Sequence, residues 1–198
     1  MRPILVCSIL ALVPLSAFSQ TITPYQPLTG AERWNRYWND TILSPGLYFA
    51  AAGAASGGQL GNDPPDWGQG TKGYAKRTAA LLGRFTMQTT VHQAASAALG
   101  YDPRYLSCDC KGFLRRSGHA IKWTLLTRNN DGETRLDFPK MAGAYGSGTL
   151  SMYWYPSRFN PLTDGVRAGN QQMGFEFGVS VIREFSPELK HFFTLGRK

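Results

Sequence analysis

Few side chains in this sequence are of the kinds that carry out chemistry: among 198 residues there are three histidines and three cysteines. Cys108 and Cys110 stand two apart in Ser107-Cys108-Asp109-Cys110. In an oxidising compartment such a pair is a candidate disulfide; it can also stay free. Two ligands do not make a zinc site, and a Cys-x-Cys with no second pair would need His or Cys from elsewhere, so no metal is assigned. His92 falls among apolar residues, where a histidine is usually a hydrogen-bonded core group. His119 lies among Arg115, Arg116 and Lys122, whose charges oppose a bound cation. Glu188-x-x-His191 has the spacing of half a di-iron motif, but such a centre needs a second Glu-x-x-His and further glutamates, and this chain has no second one.

Nucleophilic and phosphate chemistry are no better supported. There is no Gly-x-Ser-x-Gly elbow. Gly68-Gln69-Gly70-Thr71-Lys72-Gly73 lacks both the Gly-Lys-Ser/Thr ending of a phosphate loop and an apolar strand before it. Asn130-Asp131-Gly132-Glu133 fails the ligand spacing of a calcium loop and reads as a turn. The remaining acid groups, Asp63, Asp66, Asp102, Asp131, Glu133 and Asp137, sit mainly in loops. A pair of them could serve glycan hydrolysis, and Trp67 beside Asp66 would suit stacking on a sugar. Trp67 reads equally as an aromatic plug at a loop–helix junction. No catalytic residue and no cofactor is assigned.

The elements that must position these groups read as helices. Thr29-Gly30-Ala31-Glu32 is a capping box, opening a helix with Trp34, Tyr37, Trp38 and Ile42 on one face. Ser44-Pro45 starts a second, with proline at the first turn. Residues 61–66 break the chain, and a long helix follows over about 73–99, stopped by Gly100, with Leu81, Phe85, His92 and Leu99 on one stripe. A helix over about 112–127 places Leu114, Gly118, Ile121 and Leu125 on one face and Arg115, Arg116, His119 and Lys122 on much of the rest. The last helix runs over about 164–185 and ends before Pro187. Phe175, Gly178, Ile182, Phe185 and Leu189 form its stripe, although Phe175, Phe177, Val179 and Val181 also alternate at strand period.

Three stretches without charge, 41–62, 85–101 and 141–157, are rich in small residues. Ala50-Ala54-Gly58, Gly53-Gly57-Gly61, Ala142-Gly146, Gly143-Ser147, Ala144-Gly148, Gly165-Gly169 and Gly174-Gly178 all repeat at four, which puts them on one helix face and lets backbones approach closely. The expected architecture is an all-α compact bundle of five or six helices joined through these small-residue contacts. Helices inserted in a membrane and an outer-membrane β-barrel are the alternatives. The barrel lacks support because the chain has no repeated ten-residue alternating segments.

Residues 1–19, MRPILVCSILALVPLSAFS, have one cation, then an apolar run, then small residues at a cleavage position: the layout of a secretory signal, with Cys7 inside it. The expected domains are therefore this signal, 1–19, and one helical domain, 20–198. The chain carries 21 basic against 13 acidic residues, a formal charge of +8. An exported protein meets little nucleic acid, and the cations are not interleaved with stacking aromatics, so nucleic acid is not an expected partner. An anionic membrane surface, an envelope protein or a second copy fits better, and Arg115, Arg116, His119 and Lys122 make the densest basic patch.

Several strings, in order over about residues 45–190, resemble a pattern found in uncharacterised secreted or envelope proteins of bacteria. They are Pro65-Asp66-Trp67-Gly68-Gln69-Gly70, Gly73-Tyr74-Ala75-Lys76-Arg77, Asp102-Pro103-Arg104-Tyr105, Trp154-Tyr155-Pro156 and Arg183-Glu184-Phe185-Ser186-Pro187. The resemblance implies a helical exported protein of the periplasm or outer envelope and brings no activity, cofactor or site residue; Cys108 and Cys110 are not part of it. The charges in these strings, Asp66, Lys76, Arg77, Asp102, Arg104 and Glu184, are expected to pair across the bundle and fix its register. Trp67, Lys76, Arg77, Asp102, Arg104, Arg115, Arg116 and Glu184 are the candidate binding residues. The functional expectation is a non-enzymatic structural or interaction module of the envelope, with a hydrolase of envelope polymer or lipid as the alternative.

Overall fold

A computed structural model describes residues 25–188. The leader expected over 1–19, Leu189 and His191 lie outside the described residues. Helix α1 (Gly30–Tyr37) begins on its capping box: the Thr29 hydroxyl accepts from Glu32 N–H, and the Glu32 carboxylate accepts from Thr29 N–H. It continues through one wide turn, Trp38–Ile42. After Ser44, α2 (Pro45–Leu60) starts with proline in its first turn. A short 3₁₀ turn, Pro65–Trp67, leads into α3 (Gly70–Leu99), whose 30 residues cover about 45 Å at 1.5 Å each. Gly100 stops it with φ 70°, a left-handed conformation that glycine adopts without steric cost. Then come α4 (Phe113–Leu125), a hairpin of β1 (Leu126–Arg128) and β2 (Thr134–Leu136), α5 (Phe138–Ser151) and α6 (Thr163–Glu184).

The all-α bundle read from the sequence is the architecture found. The strand-like alternation of Phe175 to Val181 lies inside α6, so the barrel reading is withdrawn. No described helix is long and apolar enough to cross a membrane.

α5 packs between α3 and α6, while α2 lies on α3 and α4 on α6. Glycines set the two α5 crossings. A Cβ on Gly143 would stand 2.7 Å from Gln88 O of α3, and one on Gly165 would stand 2.6 Å from Thr149 Cα of α5. Gly148 in turn meets the backbone of Gly165 and Gly169. Ala144-Gly148 and Gly165-Gly169 are thus the α5–α6 contact itself. Gly53, Gly57, Gly146, Gly174 and Gly178 have no neighbour within 4 Å of such a Cβ, so their spacing serves no close packing among the described residues. The apolar core is modest: Ala51 and Ala55 of α2 meet Leu81 and Phe85 of α3, flanked by Leu47, Tyr74 and Leu82.

Three expected faces are corrected. Leu99 is exposed at the end of the α3 stripe. On α6, Gly178 and Ile182 are exposed and Phe175 is half-exposed with its ring stacked on Phe85 of α3, while Gly165, Ala168, Gly169, Gln172, Met173, Ser180 and Glu184 form the buried face. On α4, Leu114, Gly118 and Ile121 are exposed, whereas Ala120 and Thr124 are buried and Arg116, His119 and Trp123 are partly so. The cause on α4 is Glu184: a buried carboxylate on α6 requires cations and donors from the helix against it, so α4 turns its polar side inward.

The helix expected to reach residue 127 ends at Leu125. Thr127 is buried and donates its hydroxyl to Asp102 O, while Asp102 N–H donates to Arg128 O at 2.8 Å. The 101–102 segment thereby holds the chain extended, and the turn at 129–132, with Gly132 at φ 82°, folds it back into the hairpin.

Candidate functional site

Among the described residues, four charged side chains are almost wholly buried: Arg77, Asp102, Asp137 and Glu184. A buried charge is tolerated when every polar atom finds a partner, and the four solve this differently. Arg77 has no carboxylate. Its guanidinium donates to the carbonyls of Asp63 (2.9 Å), Pro64 (2.8 Å) and Gly68 (2.9 Å) and to Gln59 Oε1 (2.7 Å). It ties the end of α2 and the 61–69 loop to α3, and so fixes Trp67.

Asp102 is paired with Arg104 two residues on, Arg104 Nε donating to Oδ2 at 2.9 Å, and Tyr25 O–H also donates to it. Burial alone would raise its pKa; the Arg104 and Tyr25 hydrogen bonds outweigh this and hold the carboxyl below the ordinary range. Arg104 continues to Gln26 O, fastening the segment before α1. Asp137 caps α5 by accepting from Lys140 N–H, and Lys140 Nζ lies 2.9 Å from it, with His92 Nε2 at 3.6 Å. Its pKa is likewise lowered against the burial effect by these two neighbours.

Glu184 accepts from Tyr105 O–H at 2.6 Å and from Cys108 N–H at 3.0 Å, with His119 Nδ1 at 3.3 Å and Arg116 Nε at 3.6 Å. Burial opposes its ionisation, yet these donors leave its pKa below the ordinary value, while burial and the Glu184 charge raise that of Tyr105. The expected pairing of these charges with one another across the bundle is not present: Arg104 is held by Asp102 two residues away, and Glu184 by α4 and the 105–108 segment. Asp66 pairs with neither Lys76 nor Arg77 but with Arg158 Nε, at 2.8 Å. The basic patch also divides, for Arg116 turns to Glu184 and Glu188, whereas Arg115 and Lys122 are exposed.

Cys108 and Cys110 are joined as a disulfide. One ligand atom each from Cys108, His119 and Glu184 lies within 4.8 Å of the others, the nearest approach to a metal-binding set among the described residues. The set is poorly suited to a cation. The Cys108 sulfur is in the disulfide, both Glu184 oxygens already accept hydrogen bonds, and the Arg116 guanidinium stands beside them.

A cleft of about 300 Å³ opens between α2, α3 and α6, with walls that include Trp67, Arg77, Arg84, Tyr155, Phe159 and Arg167. The Trp67 and Tyr155 rings lie 4.8 Å apart, and Phe159 meets Tyr155 edge-on at 5.5 Å. Lys76 lies outside it, exposed over a shallow hollow with Trp67 and Trp154. Asp102 sits beyond the opposite end of α3, so it shares no cleft with Asp66 and Trp67, the grouping that would have favoured the hydrolase alternative.

No family model, curated protein or solved structure matches this chain. What it does has to be read from its own surfaces. Sequence reasoning placed Trp67 and Arg77 among the candidates but missed Arg84, Tyr155 and Arg167. One signal was available: Arg84 is a charge set between Leu81 and Phe85 on the apolar side of a long helix.

Proposed function

We propose that the protein is an exported, non-enzymatic module that seats on an anionic lipid surface of the cell envelope through the outward face of α4. The observation that carries this reading is the orientation of that helix. Leu114 is 83% exposed and Ile121 53% exposed, one above the other two turns apart, with Phe113 also exposed at the helix start. Arg115 and Lys122 follow them by one residue each and form a basic stripe alongside, with Lys111 just before the helix. An apolar ridge beside a row of cations matches the boundary between acyl chains and anionic headgroups. Burying a leucine or isoleucine side chain is worth about 1.5–3 kcal/mol, and a cation near an anionic surface about 1 kcal/mol. Those magnitudes support reversible, salt-sensitive attachment. The leader pattern supports the location, and the bundle supplies the rigid support.

The test is co-sedimentation with vesicles containing phosphatidylglycerol and with vesicles of phosphatidylcholine alone. The expected result is binding to the first only, weakened by salt and abolished by Leu114→Glu with Ile121→Glu. Binding to neither kind, or equal binding by the double variant, would remove the reading; retention by an acidic protein instead would replace lipid with a protein partner.

The hydrolase reading keeps one observation in its favour, that Asp63 and Asp164 both line the cleft holding Trp67. Both are otherwise engaged. Asp63 is exposed 3.8 Å from Arg158, and Asp164 accepts from Asn160 N–H at 2.7 Å. Turnover of an envelope glycan that Asp164→Asn abolished would establish hydrolysis in place of the binding role.

A further inference from the structure

We infer that the cleft between α2, α3 and α6 is a binding site for a small ring-bearing anion, its phosphate or carboxylate held by Arg84 and Arg167 and its ring lying against Trp67 and Tyr155. The inference stands apart from the α4 surface and does not depend on it.

It starts from a contrast within the cleft. Arg77 and Arg84 lie on the same helix two turns apart, and both line the cavity. Every nitrogen of Arg77 donates to a protein acceptor. Arg84 Nε is buried with no acceptor, and no carboxylate lies within ion-pairing distance of Arg84 among the described residues. Burial pushes the Arg84 pKa down, the sign of a cation whose surroundings do not compensate it. Arg84 as a whole is partly buried, but leaving its Nε shut off from water without an acceptor is costly, and a leucine or methionine at this helix position would carry no such cost. An arginine kept there is explained by an acceptor that arrives from outside.

Arg167 of α6 also lines the cleft, is exposed, and has no carboxylate partner among the described residues. The cleft's own acids do not fill the role, since Asp63 stands by Arg158 and Asp164 is bound to Asn160 N–H. Two guanidinium groups with free donors, on facing helices, are suited to a planar or tetrahedral oxyanion, which they can grip in bidentate fashion. The rest of the wall decides the remainder of the ligand. Trp67, Tyr155 and Phe159 offer ring faces and edges, and the volume, about 300 Å³, suits one ring with its anionic substituent.

The experiment is calorimetric titration of the full chain with phenyl phosphate and with benzoate. Inorganic phosphate serves as the probe without a ring and phenyl glucoside as the ring without charge. The expected result is saturable one-to-one binding of at least one aryl anion, with much weaker binding of both controls; phenyl phosphate against benzoate tells which oxyanion is preferred. Arg167→Ala, at an exposed position, should fold normally and bind at least about tenfold more weakly, the worth of one charge-assisted pair. Arg84→Met should also lose binding while raising the melting temperature of the free protein, because it removes an uncompensated charge. Trp67→Ala should weaken the aryl anions and leave inorganic phosphate unchanged. The proposal fails if neither aryl anion binds, or if Arg167→Ala binds them as the parent does. A lower melting temperature for Arg84→Met, with binding kept, would equally overturn it by showing that Arg84 serves the fold.

Discussion

α6 meets its two neighbours by opposite means. Against α5 it presents Gly165 and Gly169, and the backbones touch without a charge between them. Against α4 it presents Glu184, and the contact is made of Arg116 and His119, with Tyr105 of the preceding segment donating to the same carboxylate. The first contact depends on the absence of atoms and tolerates nothing added. The second depends on the presence of particular donors around one buried carboxylate. One helix therefore carries two kinds of vulnerability, and each can be probed separately.

The largest effect is expected at the glycine end. Gly165→Leu would drive a side chain into the Thr149 backbone, which cannot rotate away, so α5 and α6 must separate. Overpacking of this kind costs about 1–3 kcal/mol, and more where backbone cannot give way, read as a lower urea midpoint. If the midpoint stayed put, the two helices would not be in backbone contact.

Acid should act at the charged end. The folded pKa of Glu184 lies below its unfolded value, as do those of Asp102 and Asp137. A depressed carboxylate contributes stability that is present above the unfolded pKa and is lost as the pH falls through the folded one. The melting temperature should therefore drop as the pH goes below about 4, the ordinary carboxylate range. Glu184→Gln should be less stable at neutral pH, by about 1–3 kcal/mol from donors left without a charged acceptor, and its acid dependence should be shallower than the parent's. An equally steep acid limb in the variant would mean that Glu184 does not titrate with folding.

The smallest effect runs the other way. Gly178 is in the interior of α6 with open space around it, so Gly178→Ala should stabilise by about 0.5–1 kcal/mol. A loss of stability there would reveal a close neighbour at a site that looks open, and would make the two ends of α6 less different than they are drawn.

The same contrast explains what could be read from the sequence. Four-residue spacing of small residues puts them on one helix face, so the α5–α6 crossing was legible in Ala144-Gly148 and Gly165-Gly169, although the same spacing at Gly53-Gly57 and Gly174-Gly178 meets no neighbour among the described residues. Helix starts and stops were legible too, because Thr29, Glu32 and Gly100 act on their own turns. The facing of α4 was not. Its apolar stripe, Leu114 to Ile121, points to burial under any periodicity rule, and only a carboxylate some 60–70 positions later in the chain overrides it. The hairpin was hidden for a similar reason, since Thr127 is held by Asp102, far enough back that no window covers both. The cleft drew on α2, α3, α6 and the loops between, and only Trp67 and Arg77 stood out in advance.

The length of α3 has one more consequence. A single unbroken rod, Gly70–Leu99, gives α2 its seat near Leu81 and Phe85 and gives α5 its seat near Gln88 and His92. The chain is therefore indivisible along this stretch. A fragment ending within 70–99 would deprive one partner or the other of its counterpart surface, so the two halves of the molecule stand or fall as one cooperative unit.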